Sequence, residues 1–336
     1  MKVCAPGKLI LSGEHAVVYG RPALAMAVNR YAIARATSQV LPFVSFDLSN
    51  LNYEHRLSFT TLRNLKARIK RKYERFIKGE YTIRDVLHKP VELAQIAFTL
   101  FFDALNIKLN HGIKIQVESG IPIGCGMGSS AATILSIAHA IAHHLEVELP
   151  QEKFYQLGLE AENLQHGFSS GLDLQVSLQG GCLYMKDRAI EPRALPQMQF
   201  YLVNTGTPET TTGECVMGVA SRFKDSIIWN DFEAVTKAVD EALQSNFLPD
   251  IYRSISENHR LLTEIGVVPV SVQNFIREIE ETGGAAKICG AGAVRGESAG
   301  IVLVLTNDES QLQKSCDQKG YSLLQAAGEA RGVHVV

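Results

Sequence analysis

The chain has no CxxC pair and no histidine at zinc-ligand spacing, which argues against a zinc or thioredoxin-type redox site. Its six cysteines, at 4, 125, 182, 215, 289 and 316, are scattered and read as reduced thiols of a cytoplasmic protein. Strong charge of either sign is also missing: the net charge is −2 and the pI about 6.6, so no global field draws the chain to nucleic acid or to an anionic membrane. No apolar run approaches the length of a membrane span, and the early apolar stretch is broken by Gly7-Lys8 and Ser12-Gly13-Glu14-His15, too soon for a signal-peptide core. Internal repeats and low-complexity tracts are absent. One further lack is specific. The glycine-rich stretch Pro122-Ile123-Gly124-Cys125-Gly126-Met127-Gly128-Ser129-Ser130-Ala131-Ala132 has Ser129 where a GxxxxGK[ST] loop carries lysine, which excludes a P-loop NTPase.

What is present is ample apolar content, 46% of 336 residues, enough for two lobes with sizeable cores. Lys2–Val3 and Lys8–Leu11 read as short strands around an Ala5-Pro6-Gly7 turn. Helices are expected over 62–78 and 90–105, and Ile113, Ile115 and Val117 alternate as a strand. The basic run from Arg63 to Lys78 is the solvated face of the first helix, whose buried side is Leu62, Leu65, Ile69 and Phe76. The glycine stretch then hangs between a strand and an apolar helix ending before Pro150. Such a turn lets backbone N–H groups approach an anion while the helix dipole points at it, so phosphate belongs there. A helix over 151–165 and a strand at 182–185 follow. The proline-bearing segment 187–197 marks a boundary between domains at 1–186 and 187–336. The second part is mostly helical over 213–282, with a glycine turn at 290–300 and a strand at 301–305, an α+β order.

Four separated segments together carry a resemblance. Ala5-Pro6-Gly7-Lys8 through Gly13-Glu14-His15 to Gly20, the glycine stretch, Glu162-Asn163-Leu164-Gln165-His166-Gly167 with Ser170-Gly171-Leu172-Asp173, and Lys287-Ile288-Cys289-Gly290-Ala291-Gly292 resemble the GHMP small-molecule kinases, in order and over nearly the whole chain. Within that family they are most similar to the mevalonate kinases. The resemblance implies a GHMP kinase fold: an N-terminal lobe like domain 2 of ribosomal protein S5 and a C-terminal ferredoxin-like lobe. It implies ATP and mevalonate as small-molecule substrates, Mg²⁺ as cofactor, and a product phosphorylated on the 5-hydroxyl. Gly124, Gly126, Gly128, Ser129, Ser130 and Ala131 would hold ATP; Ser130 and Glu162 would hold the metal. Asp173 would orient or deprotonate the acceptor hydroxyl, with Lys8 beside it. Glu14 and His15 would contact mevalonate, His15 donating toward its carboxylate, and Thr211 would approach the phosphates.

The third motif departs from the family's GAGGGG, reading Gly290-Ala291-Gly292-Ala293-Val294-Arg295-Gly296-Glu297. An Arg295–Glu297 pair is the expected partner for the added charge. The departure keeps open a kinase of phosphomevalonate or a related hydroxy acid, and retention of Lys8, Ser130, Glu162 and Asp173 weighs against a catalytically silent metabolite sensor. Neither nucleic acid nor membrane is expected as a partner, and a homodimer is left open.

Overall fold

The computed structural model describes residues 1–336 and divides them between two sheets. The first is built from β1 (Val3–Ser12), β2 (Ala23–Gln39), β3 (Val44–Leu48), β4 (Tyr53–Leu57) and, after helices α1 (Phe59–Ile77) and α2 (Pro90–Leu105), β5 (Gly112–Ser119). Helices α3 (Ser129–His144), α4 (Gln151–His166) and α5 (Leu172–Gln179) then lead to the hairpin β6 (Cys182–Lys186) and β7 (Ala189–Arg193). The second sheet holds β8 (Phe200–Asn204), β9 (Ala285–Ile288) and β10 (Ile301–Leu305), with α6 (Thr212–Phe223), α7 (Ile228–Ser245), α8 (Leu248–Glu264) and α9 (Val270–Glu281) between β8 and β9. Helix α10 (Glu309–Lys319) and β11 (Ser322–Ala326) complete it, and β12 (His334–Val335) returns to pair with β1.

Strand order in the first sheet is β12-β1-β2-β5-β3-β4, with β3–β5 its one parallel pair, and in the second β11-β8-β10-β9, all antiparallel. Seventeen-residue β2 is the spine of the first sheet: its C-terminal half pairs with β5 and its first residues with β6. In the second sheet, side-chain alternation divides the apolar residues between two faces. Phe200, Leu202, Ile301 and Leu303 join the core shared with α2, α3 and the first sheet, whereas Tyr201, Val203, Val302 and Val304 pack in a second core with α9 and α10. Both sheets thus share one apolar core, each buried Leu or Ile contributing about 1.5–3 kcal/mol. This is an α+β architecture, as the order of strands and helices in the sequence implied.

Several sequence expectations change here. The two short opening strands are one strand, because a register shift at Pro6/Gly7 absorbs the proline's missing N–H as a bulge instead of a turn. The segment 187–197 contains β7, reached by a tight turn in which Asp187 and Arg188 both have positive φ, 50° and 67°. Asp187 suits the first position of such a turn, but an arginine stands where glycine usually follows, so the local signature is incomplete. The first sheet therefore runs past position 187 to Arg193, and gains β12 from the end of the chain. The basic run lies on α1 as expected, with Leu62, Ile69 and Phe76 buried and its cations paired outward: Arg63 and Lys66 with Asp103, Arg68 with Glu92, Arg75 with Glu80. No helix is long and apolar enough to cross a membrane.

Candidate active site

Between β5 and α3 the chain makes the glycine loop, with Gly124, Gly126 and Gly128 all at positive φ, 73°, 87° and 69°. Two of these positions leave no room for a side chain. A Cβ on Gly128 would lie 2.8 Å from Lys8 Cγ, and one on Gly126 would run into the Cys289 carbonyl. Helix α3 starts at Gly128 without any side-chain cap, so its first N–H groups are left free beside Ser129 and Ser130. A helix terminus with unsatisfied donors behind a glycine turn is a seat for a phosphate.

Lys8 reaches this loop from β1. Its N–H donates to the Met127 carbonyl at 3.0 Å, its Nζ donates to the Gly126 carbonyl at 2.9 Å, and the same ammonium lies 3.3 Å from Asp173 Oδ1. Asp173 sits in the first turn of α5, a short helix to which the sequence assigned no element. There the helix dipole favours a carboxylate. Lys8 is 3% exposed while the Asp173 side chain is 27% exposed, so the carboxylate faces the open space and the ammonium backs it.

Glu162, on α4, is almost wholly buried and its Oε1 has no hydrogen-bond partner. Burial pushes its carboxyl above the ordinary range; His166 opposes this and the Asp173 charge adds to it. The His166 ring, one turn on, stands 3.9 Å from Glu162 and bonds Ser130 Oγ at 3.1 Å. Lys8, Asp173, Ser130 and Glu162, assigned from separate segments, all line one cavity of about 440 Å³. Gly124, Gly126, Gly128, Ser129, Glu14 and His15 line it too. Leu48, Leu51, Leu87, Pro90, Leu93 and Val117 add an apolar surface suited to a flat ring system, with Asn50, His88, Lys89 and Ser119 among them as polar groups.

Other assignments land differently. Ala131 is fully buried and does not reach the cavity wall. Thr211 is spent as the N-cap of α6, bonding Glu214, while its neighbour Thr212 faces the cavity. Glu14 is 1% exposed and ion-paired with the wholly buried Lys287. His15 is not set up to donate toward a carboxylate: its Nε2 already engages the Ala291 carbonyl at 3.0 Å, and burial pushes its pKa down to about 4. Arg295 lies on the exposed side of its turn, off the cavity wall, with no ion pair to Glu297. His166 was legible as the i+4 neighbour of Glu162 on one helix face. Lys287 was legible as a lysine in an otherwise apolar strand; sequence reading gave neither a role of its own.

The family model described as GHMP kinases N terminal domain matches residues 92–181, from α2 to the glycines before β6. The chain is 31% identical over 301 residues to the mevalonate kinase of Pyrococcus horikoshii, covering 86% of this chain and 84% of that one. With the mevalonate kinase of Methanocaldococcus jannaschii it shares 28% identity over 318 residues, 93% of each chain. The crystal structure of the Methanococcus jannaschii mevalonate kinase superposes with a TM-score of 0.80 at 25% identity, over 98% of both chains.

Proposed function

We infer the function from one premise: the chain belongs to the GHMP kinase family, and its curated relatives of near-equal length are mevalonate kinases. It is a mevalonate kinase, transferring the terminal phosphoryl group of ATP to the 5-hydroxyl of mevalonate. The observation that carries a kinase reading beyond likeness is the Lys8–Asp173 pair at 3.3 Å, set against the glycine loop at the uncapped start of α3.

Phosphoryl transfer asks the protein mainly for positioning and for charge stabilisation. The N–H groups of the loop and of the first turn of α3 hold the triphosphate, and the apolar surface of the cavity takes the adenine. Asp173 accepts the proton of the acceptor hydroxyl as that oxygen attacks. Lys8, braced by the Gly126 carbonyl, faces both Asp173 and the phosphate loop, where its charge stabilises the negative charge spread over the transferred group. Glu14 and His15 form the wall of the acceptor end, and Thr212 is the threonine that approaches the phosphates.

The residues fit a magnesium ion. Glu162 Oε1 is buried and unpartnered, Ser130 offers a hydroxyl nearby, and both are hard oxygen donors. Bound there, Mg²⁺ would neutralise phosphate charge. All six cysteines are buried free thiols, in keeping with the cytoplasm as the location.

Phosphomevalonate loses its support as acceptor, since Arg295, the residue that favoured it, is exposed and does not line the cavity. The direct test is ADP release by the purified protein with mevalonate, phosphomevalonate, homoserine and galactose side by side. Release with mevalonate alone is expected; preference for any other acceptor overturns the substrate.

A further inference from the structure

All four residues of β9 are buried, and one of them is a lysine. An ammonium without any exposure must find charge and hydrogen-bond partners, because a lone buried charge is strongly destabilising. Lys287 has two: its Nζ donates to the Ile10 carbonyl at 3.1 Å and to the carboxylate of Glu14. Glu14 reaches the cavity wall, and Lys287 does not.

The residue after Glu14 is held in an unusual backbone state. His15 has φ 59° and ψ −47°, and the Ala16 N–H donates to the Glu14 carbonyl at 2.6 Å, which closes a γ-turn of the rare positive-φ kind. A non-glycine residue stays there only where its surroundings over-determine it. They do so from the second half of the chain. Lys287 grips Glu14, and four residues later the Ala291 carbonyl takes the His15 ring at 3.0 Å. Beyond the turn, Tyr19 stacks on Trp229 with ring centroids 4.3 Å apart, and Arg21 bonds Glu233 at 2.8 Å.

We propose that Lys287 is a positioning residue for the acceptor: by holding Glu14 it fixes the γ-turn at His15, and so shapes the acceptor end of the cavity without touching the substrate. The proposal rests on the mevalonate kinase reading for the identity of that acceptor. It accounts for a charge in the middle of a buried strand, where an apolar residue would otherwise be the simpler occupant.

The test is Lys287→Met, which keeps an unbranched stem and removes the charge. Turnover is measured against mevalonate and against ATP separately, with urea unfolding alongside. The expected result is a rise of at least ~10-fold in KM for mevalonate with KM for ATP within about twofold of wild type. Wild-type values for both KM in a less stable protein would mean a purely structural lysine and overturn the proposal, as would a parallel rise in both. Should Lys287→Met not fold, Glu14→Gln combined with Lys287→Met removes both charges and takes its place. The same split is expected there because the turn has lost its anchor, and a normal mevalonate KM in that folded double variant overturns the proposal equally. If the wild-type protein fails to phosphorylate mevalonate, the substrate reading falls and this one stands or falls on the same split, measured with whichever of the other three acceptors releases ADP.

Discussion

Two glycine turns meet back to back in this molecule, Gly126 against Cys289 and Gly290, yet they do different work. The loop at 124–128 lines the cavity with every residue but the buried Cys125 and runs into a helix whose first N–H groups are uncapped. From the turn at 290–300 only Gly290 and Ala291 reach the cavity, and it runs into β10, where the Ile301 N–H is already taken by the Cys125 carbonyl at 3.0 Å. The element that the glycines lead into decides the role: a helix start leaves donors over for a ligand, whereas the first N–H of this strand is spent on the neighbouring loop. On the proposed function the first turn is the binding element and the second its brace; Ala291 of the brace holds His15, and Lys287 on the strand before it holds Glu14.

If that division is right, substitutions among the groups facing the first turn change chemistry, and substitutions in the brace change stability or geometry. The largest effect belongs to Asp173. Asp173→Asn should lower kcat by about 10²–10⁴-fold, the scale for loss of a positioned base, while ATP still binds the loop. Near-normal turnover in single-turnover assays would remove Asp173 from the reaction.

The contact between the turns is tested by two alanines. At Gly126 a Cβ collides with the Cys289 carbonyl, whereas at Gly124 its nearest neighbour is Thr207 Cγ2 at 3.6 Å, and both glycines have positive φ. Gly124→Ala should cost only the backbone strain, about 1–2 kcal/mol. Gly126→Ala adds displacement of the brace and should cost roughly 1–3 kcal/mol more, read as urea midpoints. Equal losses in the two variants would show that the second turn does not support the first.

Glu162 gives a smaller, pH-dependent effect. Its carboxyl is pushed up mainly by burial, with His166 opposing. An acid whose folded pKa is raised contributes stability that is fully present below its unfolded value, near 4.3, and lost as pH rises through the raised folded value. Without metal, wild type should therefore fall in stability relative to Glu162→Gln as pH rises above about 4. Mg²⁺ with nucleotide should recover stability in wild type more than in the variant, since an ion that binds only the folded state stabilises it. A constant difference between the two proteins across that range would contradict the buried carboxylate.

How much of this was legible beforehand has a physical basis. The glycine loop, α2, α3, α4 and β10 were readable because each is local: a periodic apolar pattern bounded by glycine or proline. Lys8, Ser130, Glu162 and Asp173 were readable because their motifs are contiguous, though only the fold puts them around one cavity. The β6–β7 turn escaped because Arg188 adopts positive φ where glycine would usually follow the aspartate. Eight-residue α5 was too short to show a period. The Glu14–Lys287 pair escaped for a different reason: it joins positions 273 residues apart, and no local rule pairs them. The return of β12 to β1 is of the same kind.

The smallest expected effect is the sharpest on the comparison, because it concerns the charge that made the second turn look like a ligand site. Arg295 is exposed, lies off the cavity wall and forms no ion pair with Glu297, whose backbone carbonyl instead accepts from Ser271 Oγ at 2.7 Å. An exposed guanidinium without a partner contributes little to stability, and surface substitutions of this kind stay within about ±0.5 kcal/mol. Arg295→Ala should therefore leave the urea midpoint, KM for mevalonate and KM for ATP near wild type. A rise of ~10-fold or more in either KM corresponds to a lost contact of about 1.4 kcal/mol and would place the guanidinium on a substrate. That outcome would make the second turn a binding element in its own right, and the division between loop and brace would fail at this residue.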